Sequence, residues 1–493
     1  MYIGIDLGTS SVKMILINHK QEILSNAHCS LSTQTPKDGY NEQNPKEWIL
    51  ATEKCLDILK KSSPKEFKSV ISIGISGHMH GATLIDRKGK IIRPCILWND
   101  TRAFVECKEF ENQEYDVRKI SGNIAMPGFT APKINWLRKN EKENFDKIFK
   151  VLLPKDYLRF RLSNSFYTDM SDASGTLWLN VKERKWSDKL LSLTELSREH
   201  MPILVEGSQK TDFINKKLAH EIGFKNEVII AGGAGDQAAG ATGSGVIKPS
   251  QSVISLGTSG VYFSPTDNFV TNTSQAVHSF CHCIPDTWHH MSVMLSATNC
   301  IDWICKLFNL KIENSLQQIE FYSTNKFKNE STPYFLPYLT GERTPHNNAY
   351  LRGSFHLLDT STTADALLYS VIEGISFGIK DGYEAVHSVS QKSNNIYLVG
   401  GGSKNFFWAS MLSSLLNQDI LIGENSDMGP ALGVARLAMI ATENYKKEEI
   451  IKSMSIIRKI KNNNSLSDRL DKRYKTWKEI VNVNQPIAKK IME

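Results

Sequence analysis

Apolar and polar positions follow two rhythms along this chain. Near the start they alternate: "YIGIDLG", a bend "TSS", then "VKMILIN", which predicts a β-hairpin with glycine at its turn. The segment "SVISLGTSGVYFS" at 252–264 repeats the device, and Gly8 and Gly257 stand 249 positions apart, about half the chain, which predicts a duplicated architecture. β-Branched runs ending in glycine predict further strands at 69–76, 228–233 and 396–402. Between them the apolar spacing lengthens to that of helices in "PKEWILATEKCLDILKK", "ADALLYSVIEGISFGIKDGYEAVHSV" and "GPALGVARLAMIATE". Strands alternating with helices predict an α/β fold. In the tail, apolar residues at 450, 451, 454 and 457, and again at 470, 474, 477 and 481, match a 3.6-residue period. They predict two helices split by "KNNN" (461–464), the second opened by a capping box of Ser465 and Asp468, packed as an outer layer on the second half.

Length refines this picture. A chain of 493 residues is long enough for two or three domains, each with its own core. A boundary is expected in "VIKPSQS", giving one domain over 1–246, a second over 252–440 and a helical extension over 441–493. The net charge is +7, and the extension supplies +6 of it, with thirteen basic and seven acidic residues. Acids interleave with those bases, so the extension reads as a solvated helix face and not as a nucleic-acid surface. No apolar run reaches the ~18–20 residues of a membrane span, and "MYIGIDLGTS" lacks the basic start of a signal peptide, so the cytoplasm is expected. The eight scattered cysteines then read as free thiols. In "HSFCHC" the Cys281–Cys283 spacing is too tight for a zinc site and lacks a second pair; neither it nor His278, His282, His289 and His290 is expected to bind metal.

Three features carry candidate chemistry. Gly-Thr-Ser turns can present backbone N–H groups to an anion, and two facing turns can hold a polyphosphate. No P-loop motif is present. Asp6 ends the first strand beside such a turn; a carboxylate next to phosphate needs a cation between them, which points to Mg²⁺. Glycines 400–402, between a strand and a helix, can let a flat ligand lie on backbone. Polar residues follow apolar strand-like runs at His78–Met79–His80 and at Trp98–Asn99–Asp100, with Arg102, a pattern suited to a hydroxyl-rich ligand. Finally, "IIAGGAGDQAAGATGSG" sets Asp236 among very small residues at the start of a helix. A carboxylate there can accept a hydroxyl proton during phosphoryl transfer, with the glycines letting substrate approach.

Taken in order, "IGIDLGTSSVK", "SGHMHG", "RPCILWNDTRA", "GNIAMPGFTAPKINWL", "LLPKDYLRFRL", "TDMSDASGTLWL", "SLGTSGVYF", "LPYLTGERTPHNN" and "LVGGGSKN" resemble the FGGY carbohydrate kinases, and among them the xylulokinases. The resemblance implies a two-domain actin-like ATPase fold, ribonuclease-H-like in each half, with ATP and sugar in the interdomain cleft. It implies ATP with Mg²⁺ and the phosphorylation of D-xylulose at its 5-hydroxyl. Carried over by motif, Asp236 is the catalytic base; Met79, His80, Asn99, Asp236 and Gln237 meet the sugar; and Asp6 helps hold Mg²⁺. Thr9, Ser10, Gly257 and Thr258 border the phosphates, and Gly401, Gly402 and Asn405 line the adenosine side. Where the family commonly has Gln before Met-His, Gly before Gly-Asp and Asn after it, this chain has His78, Ala234 and Gln237. Two alternatives stand beside this reading: a kinase of the same fold for ribulose or glycerol, and a sugar-sensing ATPase that phosphorylates nothing. No nucleic-acid or membrane partner is expected, and the family is compatible with a homodimer.

Overall fold

The computed structural model describes residues 1–112, 117–325, 332–424 and 428–492. The opening hairpin forms as expected: β1 (Tyr2–Leu7) pairs antiparallel with β2 (Ser11–Ile17), which pairs with β3 (Ile23–Ser30). Helix α1 (Pro45–Ser62), capped by Asn44, covers one face with Trp48, Cys55 and Leu59. On the other side of β1 run β4 (Ser72–Gly77) in parallel, then β6 (Ile229–Ala231) in parallel, then β5 (Lys210–Phe213) antiparallel. The short strand Ala234–Gly235 extends this sheet beside β4 and leads into α2 (Asp236–Gly243).

The second half repeats the plan. β7 (Gln251–Leu256) and β8 (Gly260–Thr266) form the second hairpin. Beyond β8 lie β10 (Trp288–Met294) and β9 (His278–Cys281), both antiparallel. Beyond β7 lie β11 (Asn395–Val399) and β12 (Ile420–Gly423), both parallel. Strand order and direction therefore match the first sheet from the third strand through the hairpin to the parallel pair, which is the duplication foreseen from the two Gly-Thr-Ser bends. Helix α3 (Ala364–His387), apolar on nearly every face, fills the core of this half, and α4 (Phe406–Leu416) packs beside it.

Helix α5 (Gly429–Ile440) departs from the expected division. It lies in the second half of the sequence but packs on β1, β4 and α2 of the first. Gly4 and Gly74 make this approach feasible: a Cβ on either would stand 1.9 Å from the carbonyl oxygen of Ala431 or Val434. The same holds between helices, where a Cβ on Gly243 or Gly433 would stand 1.9 Å from the carbonyl oxygen of Gly429 or Ala239. Much of the small-residue run after Asp236 thus serves backbone-to-backbone contact between α2 and α5, and only its start borders a ligand space.

The tail corrects one expectation. Residues 450–460 do not form a helix: a short helix Lys447–Ile450 gives way to strand β13 (Ile456–Ile460), antiparallel to β12. The edge of β12 would otherwise be unpaired, and the β-branched Ile456 and Ile457 suit a strand, so sheet pairing overrides the helical period. β13 takes the place in the second sheet that β5 holds in the first. The expected second helix exists as α6 (Asn464–Met492), with Leu470, Tyr474, Trp477 and Val481 fully within the second core. Asn463, not Ser465, caps it: its Oδ1 accepts from Leu466 N at 3.3 Å. Trp477 Nε1 donates to Phe335 O at 2.9 Å and Arg473 pairs with buried Glu373 at 2.6 Å, so the extension is part of the domain core and not an outer layer.

Candidate active site

Three neighbouring strand ends deliver the central residues. β1 carries Asp6, β4 runs on into His78–Met79–His80, and Ala234–Gly235 runs on into Asp236. Asp6 stands opposite Ser76 and Gly235 opposite Gly77, so all three segments emerge side by side at the carboxyl edge of parallel strands, where α/β sheets bind ligands. Met79 lies under the Asp236 loop: a Cβ on Gly235 would stand 3.0 Å from Met79 Cγ, and one on Gly175 2.5 Å from His80 Cε1. His80 holds a left-handed backbone, φ 69°, fixed by two donors on its carbonyl, Thr130 Oγ1 and Lys133 Nζ, each at 3.0 Å. Lys133 is fully buried with carbonyl partners only, and burial lowers its pKa to about 7.

Asp236 is the first residue of α2, and its Oδ1 accepts from Gln237 N at 2.7 Å. Its pKa is pushed up to about 7, first by burial and then by the charge of Asp6, against the hydrogen bonds from Gln237. Asp6 is also raised, by burial, while Ser76 Oγ, donating at 2.9 Å, and the Lys13 charge oppose the shift. Lys13, cross-strand from Asp6, lines a cavity of about 350 Å³ together with Asp236, Gln237, Ser255, Gly400 and Gly401. Gly429 and Pro430, the first residues of α5, complete its rim, so two helix N-termini face it, an arrangement that favours anions. Both halves of the molecule therefore wall this space. In the two hairpin turns, the N–H groups of Thr9, Ser10 and Thr258 make no internal hydrogen bond among the described residues, which leaves them free for an anion. The turns are pinned from behind, Trp98 Nε1 donating to Thr9 Oγ1 at 3.0 Å and Thr298 N to Gly257 O at 3.0 Å.

The remaining expected residues divide. Gly401 is open on its Cα side, whereas Gly402 packs on Leu256, and Asn405 spends its Oδ1 capping α4 through Trp408 N at 2.8 Å. Asn99 is exposed and lines a second cavity of about 920 Å³, which shares no lining residue with the one holding Asp236. Its neighbour Asp100 is buried and locked to Arg102 at 2.8 Å. His78 is buried against Trp48 with ring centroids 5.6 Å apart, turned away from both cavities' linings. Lys13 was not singled out from sequence, although it is the only charged residue in the apolar run of β2, which was the available signal. Beneath the site, Lys155 sits among Asp156, Asp169 and Asp172 at 2.5, 3.0 and 3.4 Å, all four fully buried. Ser171 Oγ links Asp169 to Gly235 N, the residue before Asp236. Among the described residues no group of three or more His, Cys, Asp or Glu side chains is arranged for a metal, and no helix is long and apolar enough to cross a membrane. His289 stacks on Phe263 and His282 meets the same ring edge-on.

With this geometry in view, the comparisons with known proteins are informative. Residues 1–243 match the N-terminal domain, and residues 252–442 the C-terminal domain, of the FGGY family of carbohydrate kinases. The chain is 44% identical to the xylulose kinase of Escherichia coli strain K12 over 446 residues, 90% of this chain and 91% of that one. It is 42% identical to the xylulose kinase of Klebsiella pneumoniae, with 90% of each chain covered. It superposes on a crystal structure of a "xyloylose kinase" from Brucella ovis with a TM-score of 0.94 and 40% identity, covering 99% of each chain.

Proposed function

Because the chain belongs to the FGGY family of carbohydrate kinases, we propose that it transfers the γ-phosphoryl group of ATP to the 5-hydroxyl of D-xylulose, with Asp236 as the general base. The relatives named above, similar over nine-tenths of the chain, supply the sugar; the cavity supplies the chemistry. One observation carries the reading: a carboxylate with a pKa near 7 faces a space walled by both halves and rimmed by anion-binding backbone.

The residues fit Mg²⁺. Asp6 and Asp236 are hard oxygen donors at one sheet edge whose charges repel each other, and Mg²⁺ typically takes one or two carboxylates with phosphate oxygens and water. When bound through Asp6, it would neutralise phosphate charge. The chain's own groups do the rest. Lys13, the turn amides of Thr9, Ser10 and Thr258 and the two helix N-termini hold the triphosphate, while Gly400 and Gly401 leave room beside it for the nucleoside. Met79, His80, Gln237 and Asn99 orient the sugar. Asp236 accepts the 5-hydroxyl proton as the oxygen bonds to the γ-phosphorus and ADP leaves. Because such transition states are loose, positioning supplies most of the acceleration. The reaction runs in the cytoplasm, where ATP is available.

ADP release measured with D-xylulose, D-ribulose, L-ribulose and glycerol tests the proposal. Preference for D-xylulose supports it. Preference for another acceptor replaces the sugar, and ATP turnover indifferent to every sugar removes the kinase reading in favour of a sensing ATPase.

A further inference from the structure

The larger cavity between the halves holds a residue to which the proposed mechanism gives no role. Trp98, Asn99 and Gly128 line it from the first half, and Arg343 reaches in from the second. Gly128 lets the chain close on Trp98, since a Cβ there would stand 2.2 Å from Trp98 O and 3.9 Å from Arg343 Nη2. Among the described residues, the Arg343 guanidinium makes one hydrogen-bond contact, Nη1 to His278 Nε2 at 3.5 Å. The two histidines nearby have their tautomers fixed. His80 Nδ1 lies 2.6 Å from Gly175 O, which can only accept, so His80 Nε2 carries a lone pair. Asn123 donates its amide to Ser121 O and Ser279 O, so its Oδ1 accepts from His278 Nδ1 at 3.1 Å, and His278 Nε2 is likewise an acceptor. The Phe129 ring stands between the two, 4.7 Å from His80 and 5.6 Å from His278. The donor-only fork thus stands against His278, which the Phe129 ring links to the His80 acceptor, across the gap between the halves.

Resting on the function proposed above, we infer that Arg343 is a specificity-determining residue that donates to the carbonyl-bearing end of the ketose whose other end lies at Asp236. A ketone oxygen only accepts, and a guanidinium only donates; a hydroxyl on the next carbon can donate to His80 Nε2. A polyol with no carbonyl forfeits the first of these matches. Arg343 comes from the opposite half to Met79, His80 and Asn99, so it also ties sugar occupancy to the approach of the two halves.

The test uses the full-length protein with Arg343→Gln and Arg343→Lys, on D-xylulose and on xylitol, the same carbon chain without the ketone. For R343Q the KM for D-xylulose is expected to rise about 10-fold to 100-fold, the scale of one charge-assisted hydrogen bond. The KM for ATP and the slow sugar-independent hydrolysis of ATP are expected to stay within about twofold. The preference for D-xylulose over xylitol should shrink by the same factor as the KM rises. R343K keeps the charge but loses the planar fork, and should recover only part of the affinity; it is read by the same criteria if R343Q does not fold. An unchanged KM for D-xylulose, or a parallel rise in the KM for ATP, overturns the role of Arg343. A wild-type protein that does not use D-xylulose overturns the underlying function instead.

Discussion

Asp6 and Asp236 end the two segments that flank β4 in one sheet, and the negative charge of the first helps hold the second near a pKa of 7. A carboxylate at its ordinary pKa is a weak proton acceptor; one raised to neutrality is matched to the task. With Asp236 as the proposed base, the same pairing predicts that phosphoryl transfer from ATP to the sugar fails in acid, where that carboxylate is protonated.

The first prediction follows from that requirement. kcat/KM for the sugar should climb as pH rises through about 7 in wild type. Asp236→Asn should cost about 10²–10⁴-fold in kcat above pH 7, the deficit narrowing in acid where wild type is itself protonated, with ATP affinity, read by calorimetry, close to unchanged. Near-normal turnover in this variant would remove the base assignment.

Ionisation of Asp236 also works against folding. Its folded pKa lies above the unfolded value, so its contribution to stability is complete below the unfolded pKa of ~3.9 and is lost as pH rises through the folded value. D236N should therefore melt higher than wild type at pH 8, with the gap narrowing toward pH 5. After solvent screening at a partly exposed group the gain is about 1–2 kcal/mol, or about 1–3 °C by scanning calorimetry. A lower melting point for D236N at pH 8 contradicts this.

Lys155 holds three fully buried carboxylates under the Asp236 loop. Lys155→Met should destabilise by about 3–5 kcal/mol, because it leaves buried charge unpaired. Urea unfolding monitored by tryptophan fluorescence measures it; a loss under about 1 kcal/mol would mean that the carboxylates are already neutral.

Gly433 and Gly243 let α5 and α2 touch backbone to backbone. Gly433→Val should cost about 3 kcal/mol or more through overpacking that neither helix backbone can relieve, read as a fall in the thermal midpoint. A chain ending at residue 463 should fail to accumulate in soluble form, since it strips Leu470, Tyr474, Trp477 and Val481 from the second core and leaves Glu373 without Arg473.

The parts of this molecule legible in its sequence are those decided locally. A Gly-Thr-Ser bend between β-branched runs makes a hairpin wherever it stands, and α1, α3 and α5 follow from spacing alone. The residues 456–460 are different: their period allowed a helix, and only the open edge of β12, assembled from a strand 36 residues earlier, decides for a strand. Asn405 and Gly402, ligand contacts by motif, also cap α4 and pack on Leu256, which spacing does not reveal. The small residues after Asp236 signalled close approach correctly, while the partner, a helix almost two hundred positions on, was invisible. Arg343 and Lys133 gave no pattern of their own, because what marks them, among the described residues, is a half-buried and a fully buried cation with few hydrogen-bond partners.

The crossing of α5 onto the first sheet gives this protein an order of birth. When the ribosome has released residue 243, β1 and β4 are made, but the helix that seats on Gly4 and Gly74 is still untranslated. At about 5–20 residues per second, the amino-terminal sheet waits tens of seconds with one apolar flank bare. The amino-terminal half, expressed by itself, lacks the helix that covers this flank, which the chain supplies only once residue 440 emerges.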